Sequence, residues 1–228
     1  MKLCGETLRQ RAFWEQAGVV LPRYDWERVR EKTLRSPRWI HFGAGNLFRG
    51  FIAELMQRLL EKGSAADGIL AVKTRDRASA RALRENDALT LLVRLLPDGG
   101  TRMEVIASVA EIWHAGEMWE RLREAFRSPK LQMVSFTITE KGYALRDAQG
   151  KWFPEARQDA ERGPERPCHA MGMSAALLLS RFEAGGAPVA MVSFDNCTPN
   201  GERLRAGVLD MARVWKERGF AGEDFLRY

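Results

Sequence analysis

Apolar positions along the chain alternate between short unbroken runs and longer stretches with a period near four. The first run, residues 38–42, predicts a buried strand. It leads into Gly43-Ala44-Gly45 and then a periodic stretch over residues 46–62, where Leu47, Phe51, Leu55 and Leu59 recur every fourth residue. Ile52, Met56 and Leu60 widen that stripe, which predicts a long amphipathic helix with Gly63 as its C-cap. Residues 68–72 form a second apolar run of the kind buried in a parallel sheet, and residues 78–85 predict a short helix. Residues 89–96 and 101–109 predict two strands joined by Pro97-Asp98-Gly99-Gly100, which is hairpin chemistry.

Further along, the spacing predicts a helix over 116–127, a buried strand over 131–138, and an irregular polar loop over 141–167. A helix over 170–183, a buried strand over 187–194 and a helix over 200–218 follow. Strands alternating with helices define an α/β domain with a mainly parallel sheet flanked by helices, here with a β-hairpin insertion. We expect that domain to occupy residues 37–228. Residues 1–36 form a polar, aromatic lead-in with helical pieces at 8–16 and 26–33, compatible with an ordered leader or with a flexible arm.

Bulk properties narrow the function classes. The 228 residues are 45% hydrophobic, enough for one sizeable core. Mean hydropathy is −0.34, and no apolar run approaches the ~20 residues of a membrane span. The charged N-terminus lacks a signal-peptide core, so a cytoplasmic protein is expected. Cys4, Cys168 and Cys197 form no C-x-x-C pair and read as reduced thiols. His41, His114 and His169 lack helical metal-ligand spacing, so no metal site is expected. The net charge of +6 is spread over mixed helix faces without a nucleic-acid-binding motif, and it suits an anionic small ligand.

The candidate chemistry gathers at strand ends. Gly43 and Gly45 make G-x-G between a strand and a helix, although Phe48 stands where the full G-x-G-x-x-G pattern has its third glycine. A helix opening near Asn46 aims free N–H groups and the positive end of its dipole at the turn, which favours a pyrophosphate. A tight turn with close packing and no ligand is the competing reading. The second strand ends Val72-Lys73-Thr74-Arg75-Asp76, where a ribose-binding carboxylate is usual. Lys73 and Arg75 point instead to tolerance of, or preference for, NADP, unless Asp76 reaches back to the ribose. Ligands in such sheets bind beyond the carboxyl ends of the strands, so the motifs are expected on one edge.

Three stretches carry a family resemblance. They are His41 to Phe51 (HFGAGNLFRGF), Ser135 to Tyr143 (SFTITEKGY) and Val192 to Gly201 (VSFDNCTPNG). In order and spacing they resemble the nucleotide domain of the long-chain polyol dehydrogenases, which include mannitol dehydrogenases and the fructuronate and tagaturonate reductases. The resemblance implies a Rossmann-like fold, an NAD or NADP cofactor, and hydride exchange between the nicotinamide and a sugar carbon. The other partner is then a sugar alcohol or sugar acid. Position in the glycine turn puts Gly43, Ala44, Gly45, Asn46, Leu47 and Arg49 at the pyrophosphate, and position at the end of the second strand puts Lys73 and Thr74 at the adenosine ribose. Thr139 and Glu140, at the end of a later strand, fall on the nicotinamide side, and Asp195 could bind the cofactor or orient its neighbour. Asn196 is the implied contact to the substrate oxygen.

For Arg49 a plain surface role is an equal alternative, and for Asn196 a helix cap is the alternative. Capping is the expected role of Asn200. The family's catalytic lysine lies in a helical second domain without a match here, and Lys141 is expected to be a surface or cofactor-side residue. The chain is therefore expected to be one part of a longer oxidoreductase, inactive alone. The alternative is a stand-alone nucleotide-binding or interaction module.

Overall fold

The computed structural model describes residues 2–228. Two compact halves divide the chain, residues 1–114 and 115–228. The elements of the first are α1 (Gly5–Leu8), α2 (Arg11–Gln16), β1 (Val19–Val20), α3 (Trp26–Arg35), β2 (Trp39–Phe42), α4 (Ala53–Glu61), β3 (Ile69–Lys73), α5 (Arg77–Arg84), β4 (Thr90–Leu95), β5 (Thr101–Ile106) and β6 (Val109–His114). Those of the second are α6 (Trp119–Arg127), β7 (Met133–Phe136), α7 (Pro154–Arg162), α8 (Ala170–Glu183), β8 (Ala190–Ser193), α9 (Asn200–Glu217) and α10 (Glu223–Arg227).

In the first half β6, β3 and β2 run parallel in that order. Their side chains explain the burial: Ile40, Phe42 and Ile69 to Val72 are wholly inaccessible to solvent. In the second half β7 and β8 are parallel, with Phe136 opposite Ser193. Both halves follow the α/β plan, a mainly parallel sheet with helices on its faces. β4 and β5 form the antiparallel hairpin, in a small sheet ordered β1-β5-β4. The lead-in is tied down by β1, whose Val19 and Val20 pair with Met103 and Glu104 of β5.

Several elements differ from the reading of the pattern. The apolar stretch after Thr101 is two strands. β5 stops at Ile106, the chain turns through Ala107 and Ser108, and β6 joins β3 in the parallel sheet. Ser108 makes the switch possible. Its hydroxyl donates to the Ala53 carbonyl at 2.5 Å, and its own carbonyl accepts from Ile69 at 2.9 Å. A Cβ on Gly68 would lie 2.3 Å from that carbonyl, so only glycine fits there. The polar stretch 141–167 contains α7, opened by Pro154 at a position where its missing N–H costs nothing. β8, expected to be buried, is half-exposed, with Ala190 exposed.

The helix after the glycine turn also differs in its phase. It opens with a π-turn over Phe48–Ile52 before becoming α4. Phe48, Ile52, Met56 and Leu60 face the core, whereas Leu47, Phe51, Leu55 and Leu59 are each about half-exposed. Both rows repeat every fourth residue and stand one position apart. Periodicity supplies the spacing but cannot decide which of two apolar rows meets the sheet.

Candidate functional site

The glycine turn leaves the carboxyl end of β2 directly. Gly43 has φ +127°, inside the left-handed region that a side chain resists, and its N–H donates to the Val72 carbonyl at 2.8 Å. The turn is thereby fixed to the end of β3. Ala44 is buried, and the first helical bond closes from Arg49 N–H to the Gly45 carbonyl at 3.0 Å. The N–H groups of Asn46, Leu47 and Phe48 then belong to the first turn, where a helix has no internal acceptor for them.

Gly45 separates the two readings of the turn. A Cβ built there meets nothing within 4 Å, and its φ lies outside the left-handed region. Neither packing nor backbone geometry requires glycine at this position. The space above it is open, as a pyrophosphate lying on the turn needs. Beside it Asn46 is exposed, and its Oδ1 accepts from Arg49 Nη2 at 2.7 Å. Arg49 Nε is buried without a hydrogen-bond partner, a donor suited to an anion beside the turn. Leu47 projects outward, so it contributes its backbone here.

At the end of β3, Lys73 Nζ lies 2.7 Å from Ser79 Oγ and 3.4 Å from Asp76 Oδ2. Asp76 is the N-cap of α5, accepting from Ser79 N–H at 3.0 Å with its backbone at φ +57°. That N–H, with the Lys73 ammonium, holds the Asp76 carboxyl below the usual carboxylate range. Thr74 is half-buried and Arg75 exposed.

The second half supplies another cluster at the carboxyl ends of β7 and β8. Asp195 Oδ2 accepts from Ile138 N–H at 2.9 Å and from the Tyr143 hydroxyl, whose oxygen also lies 2.8 Å from Ser193 Oγ. Burial, then the bond to Asp195, pushes the Tyr143 phenol up, so it stays a neutral donor. Asn200 does not cap α9. The residue before the helix is Pro199, and the Asn200 amide donates backwards to the carbonyls of Asp195 at 2.9 Å and Ser193 at 3.3 Å. The loop is thus pinned on both sides of Asn196, whose own side chain is exposed. A short helical turn spans Glu140–Tyr143; Glu140 pairs with Arg203 of α9, Thr139 precedes the turn and is exposed, and Lys141 is exposed.

The carboxylate of Asp195 is thus turned into the protein, which fits the orienting role better than direct cofactor contact. Tyr143 and Ser193 lie in two of the stretches that carry the resemblance but have no role assigned from sequence, since their contact with Asp195 leaves no spacing signal. Among the described residues no group of three or more His, Cys, Asp or Glu side chains is placed to hold a metal. His41 and His169 are buried.

A glycine turn at the first strand of a parallel sheet, opening a helix over clear space, defines a nucleotide-binding type of α/β domain. The chain belongs to the mannitol dehydrogenase family: residues 37–223 match its Rossmann domain. It is 41% identical, over its whole length, to a D-mannonate oxidoreductase of Thermotoga maritima, and covers 43% of that protein. It is 32% identical to a mannitol 2-dehydrogenase of Cereibacter sphaeroides over 86% of the chain and 41% of the relative. A mannitol 2-dehydrogenase of Pseudomonas fluorescens, solved as a ternary complex with NAD and D-mannitol, superposes with a TM-score of 0.79 at 28% identity. That match covers 96% of this chain and 43% of the other. The chain thus spans about two fifths of the length of these relatives.

Proposed function

We propose that the chain is the nicotinamide-nucleotide-binding part of an oxidoreductase that interconverts a sugar alcohol or aldonate with its keto form. The observation that carries this is Gly45, a glycine that the fold does not need, at the mouth of a helix in a matched Rossmann domain. The nicotinamide carries the hydride: NADH or NADPH would give it to the keto form, and NAD or NADP would take it from the alcohol. Gly43, Ala44, Gly45, Asn46 and Leu47 hold the pyrophosphate through backbone N–H groups, with Arg49 adding charge. Lys73 and Thr74 sit at the adenosine ribose. Thr139 and Glu140 border the nicotinamide side, and Asp195 orients Asn196.

Asn196 donates its amide to the substrate oxygen, where negative charge develops as hydride leaves or arrives. The substrate class follows the relatives, a mannonate and a mannitol oxidoreductase. No helix among the described residues is long and apolar enough to cross a membrane; the proposed place of action is the cytoplasm.

A calorimetric titration of the 228-residue chain with NADH, and separately with NADPH, tests the reading. Saturable one-site binding of at least one is expected, with little or no turnover of mannitol or mannonate. Binding of neither would sink it.

A further inference from the structure

The end of β3 carries information that the glycine turn does not. Gly43 is bonded to Val72, and Phe42 is the register partner of Val72, so Lys73 is the first residue past the turn on the neighbouring strand. A ribose with free 2′ and 3′ hydroxyls is normally read at this position by a carboxylate that accepts from both. The carboxylate in residues 73–77 is Asp76, and it is already engaged. It accepts from Ser79 N–H, it faces Lys73 Nζ, and its left-handed backbone turns it onto the start of α5.

In sequence, residues 73–85 hold Lys73, Arg75, Arg77, Arg81 and Arg84 with the acids Asp76 and Glu85. The Lys73 side chain is also held in place. Its ammonium sits between Ser79 Oγ and Asp76 with 18% of the side chain exposed. Two of its three donors are engaged, which leaves one for a ligand.

We infer that the adenosine end of the site selects a 2′-phosphorylated dinucleotide, NADPH over NADH, and that Lys73 is the residue that selects it. The inference rests on the nucleotide-binding reading given above and deepens it. Ser79 and Asp76 are positioning residues: they fix the ammonium at the strand end, where a 2′-phosphate on the ribose meets it. Asp76 spends Oδ1 on the Ser79 N–H and turns Oδ2 toward the Lys73 ammonium, so its charge is already matched before a ribose arrives.

The test is the pair of dissociation constants, for NADPH and NADH, measured by calorimetry on the chain and on Lys73→Gln. A charge-assisted contact to phosphate corresponds to about a tenfold affinity difference or more. The chain is expected to bind NADPH at least about tenfold more tightly, and Lys73→Gln to lose most of that difference by weakening NADPH more than NADH. Arg75→Gln, at an exposed site, is a second variant and is expected to reduce the preference less. Equal affinities, or tighter NADH, would overturn this inference and leave the nucleotide-binding reading standing. A preference for NADPH that Lys73→Gln leaves intact would overturn the assignment to Lys73. Binding of neither nucleotide would overturn both.

Discussion

The imidazole of His41 lies flat against the ring of Phe48, with centroids 4.1 Å apart and planes 8° from parallel. His41 lies in β2, one place before its last residue, and Phe48 opens the π-turn, so the stack spans the glycine turn between strand and helix. Neither side chain has any solvent exposure. Burial pushes the His41 imidazole down to about 3, so it is neutral at physiological pH.

This has a consequence for stability. An unfolded histidine titrates near 6.5, well above the folded value. Between pH 6.5 and 3 the unfolded state therefore binds the extra proton, and stability is lost as pH falls through that window. Above pH 6.5 the contribution is fully present. Its full size is on the order of 5 kcal/mol, and the slope attributable to one proton is about 1.4 kcal/mol per pH unit. Urea denaturation of the chain and of His41→Gln from pH 7 to pH 4 isolates it. The variant's stability is expected to be the flatter of the two; parallel pH profiles would show that His41 does not titrate on unfolding.

Two glycines two residues apart should behave differently. At Gly43, φ is +127°, so Gly43→Ala forces a side chain into a disfavoured backbone and is expected to cost about 1–3 kcal/mol. At Gly45 an added Cβ meets no atom of the protein, so Gly45→Ala is expected to leave stability within about 0.5 kcal/mol. The same methyl group stands in the space assigned to the pyrophosphate, and nucleotide affinity is expected to fall about tenfold or more. Thermal denaturation and titration of the two variants check both halves. A Gly45→Ala protein that binds nucleotide as well as the parent would show the open space to be incidental.

The sequence was legible where one signal had one outcome. The buried strand runs that became β2 and β3, the helix over residues 170–183 and the glycine turn are of that kind. It was not legible where two neighbouring solutions share a pattern. The rows beginning at Leu47 and at Phe48 both repeat every fourth residue, and contact with the sheet alone selects the second. The run after Thr101 is apolar across the change from hairpin to parallel sheet, because both sheets bury it. Hydrogen-bonded polar residues were the other gap. Asp195 was visible as a motif residue, but its link to Tyr143, 52 positions away in the chain, exists only after folding.

That link makes its own prediction. Tyr143 and Ile138 N–H both donate to the Asp195 carboxylate, in a site where Tyr143 is only 4% exposed. Asp195→Ala strands two donors and is expected to cost about 2–4 kcal/mol. Tyr143→Phe removes one hydroxyl and keeps the ring, and is expected to cost about 1 kcal/mol. Differential scanning calorimetry gives the ranking. If Tyr143→Phe proves as damaging as Asp195→Ala, the carboxylate is not the centre of the clamp.

The largest single-residue effect is expected at Arg181, in the last turn of α8. Its side chain is buried, with 1% of the residue exposed, and it makes five hydrogen bonds, all to backbone carbonyls. Phe126, Ser128 and Leu131 are approached at 2.6, 2.7 and 3.0 Å, and Ala187 and Pro188 at 2.6 and 3.0 Å. These carbonyls belong to the segments leading into β7 and β8, so one guanidinium holds the entry to both strands. In sequence the residue resembles an ordinary basic group at a helix C-terminus, where the dipole favours it. Its planar fork of five donors is what the site uses, and a lysine ammonium, with three, cannot reproduce that. Arg181→Met of similar length would leave the carbonyls without donors at a cost of about 3 kcal/mol or more, and Arg181→Lys would recover only part of it. Arg213, exposed and paired with Asp210 within its helix, is the control; Arg213→Met is expected to cost less than about 1 kcal/mol. Urea titrations of the three variants decide the matter: equal losses at Arg181 and Arg213 would show that the carbonyl cluster is satisfied by water when the guanidinium is gone.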